Sequence, residues 1–326
     1  MKLNLSRPIY LLSFFVSAIF ILWGCSSGSQ ERATEVAANP NLEFTDYANL
    51  KLGFTTQNFL AAMPVSLETS KQFIDYAAEQ GYQWLELRDP NAELSVEESQ
   101  EIAAYAQENE IEVSYAIQKG LLDDDFWPTF EKGLQNAVVF EGPRLIRSLA
   151  SLSEFASDTT KQGWTQEELQ MAVQYADSAA ALANEAGLQY VIENGGEPFF
   201  GKREQYFGVA DLFARTGKQV GWQFDTANPF SVARVHVTAD SVRNYLQANI
   251  GNLFYIHLKS AQNGQAQETL GKNPLPLPEV LQLLSEHSVP YVAIELQAVD
   301  NQDQAFTNQQ QSLAYLQSQN LVSKAQ

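Results

Sequence analysis

From Leu50 onward the chain repeats one pattern eight times: a short β-rich apolar run, then an amphipathic helical stretch, with no break in composition between them. The runs are Lys51–Phe54, Trp84–Arg88, Ile111–Tyr115, Leu145–Ser148, Tyr190–Glu193, Val220–Asp225, Leu253–Lys259 and Tyr291–Leu296. Helical periodicity covers Leu67–Glu79, Ser95–Glu108, Gln166–Ala186 and Pro278–His287, and Gly81, Gly187 and Gly217 fall where helices end. Eight such units over roughly 270 residues predict an α/β fold of the (β/α)8 TIM barrel type, which typically needs about 250. A doubly wound sheet is the alternative, but it calls for a glycine-rich first turn, and Thr55-Thr-Gln-Asn-Phe59 has none.

Chemistry enters at the ends of the runs. Strands five to eight finish in Glu193, Asp225, His257 and Glu295, spaced by about one unit each. In a barrel, strand C-termini converge on one mouth. Three carboxylates gathered there repel one another, and burial penalises their charged forms. A divalent cation relieves both, and oxygen ligands with one imidazole suit Mn, Mg or Co, with Zn also able to bind. A single carboxylate at a strand end is ordinarily a helix cap or a surface group. Four in succession, including one of only three histidines, point instead to a metal site. The single cysteine cannot form an internal disulfide or a thiolate zinc site. With 20 Lys and Arg against 39 Asp and Glu, the formal charge of -19 argues against nucleic acid as a partner.

The segments Ile192-Glu193-Asn194, Phe224-Asp225-Thr226, Ile256-His257-Leu258-Lys259 and Ile294-Glu295 resemble the metal-binding strands of the xylose isomerase-like barrel superfamily. That group includes sugar isomerases, ketose 3-epimerases, inosose dehydratases and the endonuclease IV branch. The resemblance implies that Glu193, Asp225, His257 and Glu295 hold one divalent metal ion. It also implies that Glu193 and Glu295 flank a sugar substrate as an acid/base pair. The expected activity is a metal-dependent isomerase or epimerase acting on an unphosphorylated sugar or keto-sugar by proton transfer next to a carbonyl. A dehydratase or lyase using the same enolate, and a non-catalytic sugar-binding protein, remain alternatives. The chain departs from the family pattern twice. Asn228 stands where several ketose epimerases carry a histidine, and Ser260 where many relatives carry aspartate.

Five further residues are candidate substrate contacts. Lys259 lies two residues past His257 and points the same way; it either holds a substrate oxygen or bridges to a neighbouring ligand. Arg88 and Arg147 end strands two and four and either grip substrate or form ion pairs within the barrel. Asn228 and His236 follow strand six on the same side. Asn194 and Glu197 sit in a glycine-containing loop beside Glu193, and His287 reads as a partner for a helix C-terminus. Phe126, Trp127 and Phe130 read as core rather than as a wall over a sugar.

The N-terminus adds a second signal. Lys2 and Arg7 precede an apolar run from Ile9 to Trp23, which ends in Leu22-Trp23-Gly24-Cys25. This resembles a bacterial lipobox and implies a signal peptide over residues 1–24, lipidation at Cys25 and an anchor in the cell envelope. Ser26 after the cysteine favours the outer membrane. Residues 25–48 read as a flexible tether and 49–322 as the barrel. Changing Cys25→Ala is expected to move the protein from the membrane fraction to the soluble fraction; retention in the membrane would indicate an uncleaved signal anchor instead.

Overall fold

The computed structural model describes residues 40–151, 162–201, 205–231 and 237–325. Cys25 and His236 lie outside these residues. Twelve strands appear among them: β1 (Leu42–Phe44), β2 (Lys51–Thr55), β3 (Trp84–Arg88), β4 (Glu112–Gly120), β5 (Leu145–Leu149) and β6 (Gln189–Glu193), followed by β7 (Val220–Asp225), β8 (Leu253–Leu258), β9 (Ala261–Gln262), β10 (Gln265–Ala266), β11 (Tyr291–Ile294) and β12 (Val322–Lys324). Strands β2 to β8 pair in sequence and in parallel, β11 joins β8, and β11 also pairs with β2 through Tyr291↔Lys51 to Ile294↔Phe54. The sheet is therefore a closed eight-stranded parallel barrel, as the sequence predicts.

Alternation along each strand separates two apolar regions. Leu85 and Leu87 belong to the large core between strands and helices. Trp84, Leu145, Val191, Tyr255 and Ala293 form a small separate cluster, the apolar floor inside the barrel. Backbone space inside is tight. A Cβ on Gly53 would stand 2.6 Å from the indole nitrogen of Trp84, the same atom that donates to Lys51 O at 3.1 Å. Glycine at 53 is what lets the Trp84 indole lie flat against β2.

The helices begin where short polar side chains can replace missing backbone partners. Ser95 Oγ accepts from Glu98 N at 3.1 Å while Glu98 returns the bond to Ser95 N at 2.8 Å, and Ser66, Thr165 and Thr238 open their helices with the same reciprocal box. The helix Gln166–Glu185 turns Leu169 and then Ala172, Ala176, Ala179, Ala180 and Ala183 inward, so beyond its first turn its buried side chains are all alanines.

Two sequence expectations need correction. The segment read as a tether contains β1, which pairs antiparallel with β12 and touches β2 through Glu43↔Lys51. Leu42 and Phe44 are buried, so the packed unit starts before Leu50. Three-residue strands are too short to show a period. Gly81 adopts φ 86° and Gly187 φ 74° as helix-ending glycines should, but Gly217 is not among the positive-φ glycines; it follows the helix Val209–Arg215, and its N–H donates to Asp177. Replacing Gly53→Ala is expected to cost about 1–3 kcal/mol in thermal unfolding through overpacking. Gly196→Ala, whose Cβ would meet no atom within 4 Å, should change stability far less.

Candidate active site

Glu193 and Asp225 are the last residues of β6 and β7, His257 is the next-to-last of β8, and Glu295 follows β11 directly. All four are buried, and one ligand atom from each lies within 4.8 Å of the others. The same mouth receives Arg88, Asn228 and Lys259, with Arg147 just below. His257 Nδ1 faces Glu295 Oε2 at 2.5 Å and Glu193 Oε1 at 3.6 Å. Lys259 Nζ reaches Glu295 Oε1 at 2.7 Å, Asn228 Oδ1 at 3.2 Å and Asp225 Oδ2 at 3.4 Å. Arg88 Nη2 stands 3.4 Å from Glu193 and 3.3 Å from Glu295, so one nitrogen touches both members of the expected acid/base pair. Arg147 is wholly buried and spends Nη1 on Glu193 at 2.9 Å and Nη2 on Glu86 at 2.9 Å. For Arg88, Arg147 and Lys259 the structure thus contains the ion pairs that the sequence left open as one of two readings.

Two residues at this site were not singled out from the sequence. Glu86, in the middle of β3, has Oε1 bonded by Thr55, Arg88 and Arg147 and Oε2 by Tyr255 and His257. These partners come from four strands, which places Glu86 in the barrel interior beneath the mouth. Gln223, fully buried on β7, fills the gap between Glu193 and His257; with its amide nitrogen turned toward Glu193 the distance is 3.3 Å. Both were signalled by a charged or amide side chain inside a strand that a barrel buries on both faces.

Where strand pairing stops, side chains continue it and fix the site residues. Asn194 Oδ1 accepts from Asp225 N at 2.8 Å and its Nδ2 donates to Asp225 O at 3.2 Å. Thr226 Oγ1 accepts from Lys259 N at 3.0 Å and donates to Lys259 O at 3.2 Å. Asn58 donates to Ile294 O and accepts from Leu296 N, bracketing Glu295. Thr56 Oγ1 accepts from Arg88 N at 2.9 Å.

The charges are unevenly compensated. Burial would raise the Glu295 carboxyl, but Lys259, Arg88 and His257 outweigh it and hold the group well below the usual range. Burial likewise opposes charge on His257, yet Glu86 and Glu295 raise its pKa well above the ordinary value. Asp225 differs. Burial pushes it up to about 6 against the pull of Lys259, and its Oδ2 accepts no hydrogen bond. Its Oδ1 is fully engaged by the N–H groups of Ala227 and Asn228. Glu197 is pushed up to about 8 by burial, with Oε1 on Gly195 N and Oε2 without a hydrogen bond.

The residues present fit a divalent ion. Ligands about 2.0–2.2 Å from a shared ion stand at most about 4.4 Å apart, so the 4.8 Å spread needs little adjustment. Asp225 Oδ2, which accepts no hydrogen bond and faces Lys259 Nζ at 3.4 Å, is the atom such an ion would satisfy. The buried cluster can therefore bind a metal.

A family model described as xylose isomerase-like TIM barrel matches residues 74–319. No curated protein sequence matches the chain. Among solved structures, D-psicose 3-epimerase from Clostridium cellulolyticum H10, crystallised with D-tagatose, is similar at TM-score 0.60 and 15% identity, over 82% of this chain and 99% of that one. The IOLI protein with a bound zinc atom is similar at TM-score 0.60 and 15% identity, over 83% and 99%. A xylose isomerase-like TIM barrel protein from Mycobacterium smegmatis in complex with magnesium is similar at TM-score 0.57 and 14% identity, over 82% and 97%. At such identities the likeness to these structures is one of fold. The matched span of the family model contains Glu193, Asp225, His257 and Glu295 together with seven of the eight barrel strands, and the chain belongs to the xylose isomerase-like TIM barrel family.

Proposed function

We propose that this protein is a divalent-metal-dependent sugar isomerase or epimerase acting on an unphosphorylated sugar or keto-sugar. The observation that carries the reading is the meeting of Glu193 and Glu295 on one buried cluster, with one Arg88 nitrogen in contact with both. Glu193, Asp225, His257 and Glu295 would hold a single ion, with Mn, Mg or Co the best matched and Zn also suited. When bound, that ion supplies Lewis-acid stabilisation of negative charge on a substrate oxygen.

The protein's own groups do the proton work. One of the two glutamates takes the proton from the carbon beside the carbonyl, and the C–H electron pair moves into an enediolate. The other glutamate returns a proton to the opposite face, inverting the centre; return to the neighbouring carbon gives isomerisation instead. Lys259 and Arg88 keep Glu295 ionised and so able to accept a proton. Lys259, Asn228 and Arg88 stand at the mouth, where a sugar hydroxyl could exchange places with one of their present partners. Arg147 lies deeper and serves the substrate through Glu193. His236 joins the list of substrate contacts from its position after β7 alone.

The remaining parts of the reading concern place and substrate. Cys25 carries the lipid that anchors the barrel to the bacterial envelope, at the outer membrane, with residues 1–24 removed as signal peptide. An exported enzyme meets unphosphorylated sugars, since sugar phosphates are mainly cytosolic. The relative crystallised with D-tagatose supports a free ketose as ligand.

Two measurements test this. Purified protein is expected to carry about one Mn, Co, Mg or Zn per chain by elemental analysis, and the Asp225→Ala, His257→Ala double variant to carry none; a wild-type chain that neither retains nor takes up metal leaves sugar binding without catalysis as the function. Glu295→Gln is expected to abolish deuterium incorporation from solvent into a ketose while the ketose still binds. Full exchange in that variant would remove Glu295 from the proton-transfer role.

A further inference from the structure

We propose that Glu86 is the positioning residue of the metal centre, holding the His257 imidazole in the tautomer that carries its proton on Nε2 and presents Nδ1 to the ligand cluster. The inference rests on the metal-binding reading above and deepens it.

The two ring nitrogens have different surroundings. Nδ1 faces Glu295 and Glu193, both members of the four-residue cluster. Nε2 faces Glu86 Oε2 at 3.2 Å, and Glu86 is outside that cluster. Glu86 is poorly placed to become a ligand itself. Its Oε1 already takes Thr55 Oγ1 at 2.8 Å, Arg147 Nη2 at 2.9 Å and Arg88 Nη2 at 3.0 Å, and its Oε2 also takes the Tyr255 hydroxyl. Four donors from four strands besides the imidazole tie this carboxylate down, so it cannot swing and the direction of its acceptor lone pair is fixed. Two of those donors are the guanidinium groups of Arg147 and Arg88, so Glu86 faces the ring as an acceptor. A fixed anion on one side of an imidazole sets which nitrogen keeps its proton, and it raises the basicity of the nitrogen on the other side. Metal-bound histidines are commonly oriented in this way, and losing the outer carboxylate typically weakens metal binding 10–100-fold.

The arrangement also accounts for the buried cost. Glu86 has no exposed surface, yet Arg147, Thr55 and Tyr255 are all committed to it. Arg147 then reaches from Glu86 to Glu193, so the same support that orients His257 also steadies a second cluster member.

The test uses the full chain in two ways. In the zinc-loaded wild type, ring nitrogen NMR of the histidines, assigned with His236→Gln and His287→Gln chains, is expected to show His257 protonated at Nε2 and unprotonated at Nδ1. The reverse tautomer overturns the proposal without any Glu86 variant having to fold. For Glu86→Gln, cobalt(II) titration followed by its visible spectrum is expected to give a dissociation constant raised at least about tenfold, with unchanged far-ultraviolet circular dichroism. Wild-type affinity in that variant overturns the positioning role alone. Failure of the wild-type chain to bind either zinc or cobalt overturns the metal-binding reading and this inference with it.

Discussion

Carboxylates inside a barrel must be compensated there, because the strands exclude water on both faces and an unpaired buried charge is prohibitively costly. Glu86, Glu193, Asp225 and Glu295 are each at most 3% exposed. Arg147 sits between Glu86 and Glu193, Arg88 touches Glu86, Glu193 and Glu295, and Lys259 closes the ring at Glu295 and Asp225. Such buried networks are weak evidence for stability, since apolar side chains of similar volume often serve as well or better. Removing one partner is another matter, costing about 3–5 kcal/mol by leaving its mate bare. What the network provides here is position: the cations hold the carboxylates where four ligand atoms come together.

Position is reinforced from the backbone. A parallel ladder ends at the strand tips, which is where the chemistry lies and where the chain would otherwise be loosest. Asn194, Thr226 and Asn58 extend the ladder by a side-chain step across to the next strand, bracketing Asp225, Lys259 and Glu295 respectively. The dipeptides Glu193-Asn194 and Asp225-Thr226 therefore each encode a site residue and the clamp for its neighbour. Asn58 is itself held by Gln309 at 2.8 Å, from the last helix, which bonds Tyr82 in turn. The placement of Glu295 so depends on a helix that begins after it in the chain.

Much of this was legible in the sequence, and for identifiable reasons. Eight apolar runs with helical stretches between them specify a closed parallel sheet, and an acid or histidine at the end of an apolar run stands out. The interior was less legible. Trp84-Leu-Glu-Leu-Arg88 alternates apolar and polar residues, which in an antiparallel sheet marks a solvent face. In a barrel the second face is the interior, so Glu86 is a buried ion rather than a surface one. Gln223 was hidden in the same way in Val220–Asp225. The two terminal strands escaped notice because Leu42 and Phe44 offer a single alternation, and Val322 none, within an otherwise polar neighbourhood.

The two departures from the family pattern separate once their contacts are known. Ser260 Oγ donates to Asn273 Oδ1 at 2.8 Å and accepts from Lys272 N at 3.1 Å, tying the base of the loop that carries the small hairpin β9–β10. Its role is to fix that loop, and it sets no charge among the ligands. Asn228 is different in kind. Its Nδ2 donates to Glu193 Oε1 at 3.4 Å and to Asn194 O at 2.8 Å, while its Oδ1 takes Lys259 Nζ. A neutral amide therefore links the two sides of the site, joining Glu193 to the lysine that holds Glu295. A histidine there would bring a group that titrates near neutrality. An amide cannot, so Asn228 adds no second imidazole beside His257. At Asn228 the site therefore presents a donor and an acceptor whose character does not change with pH.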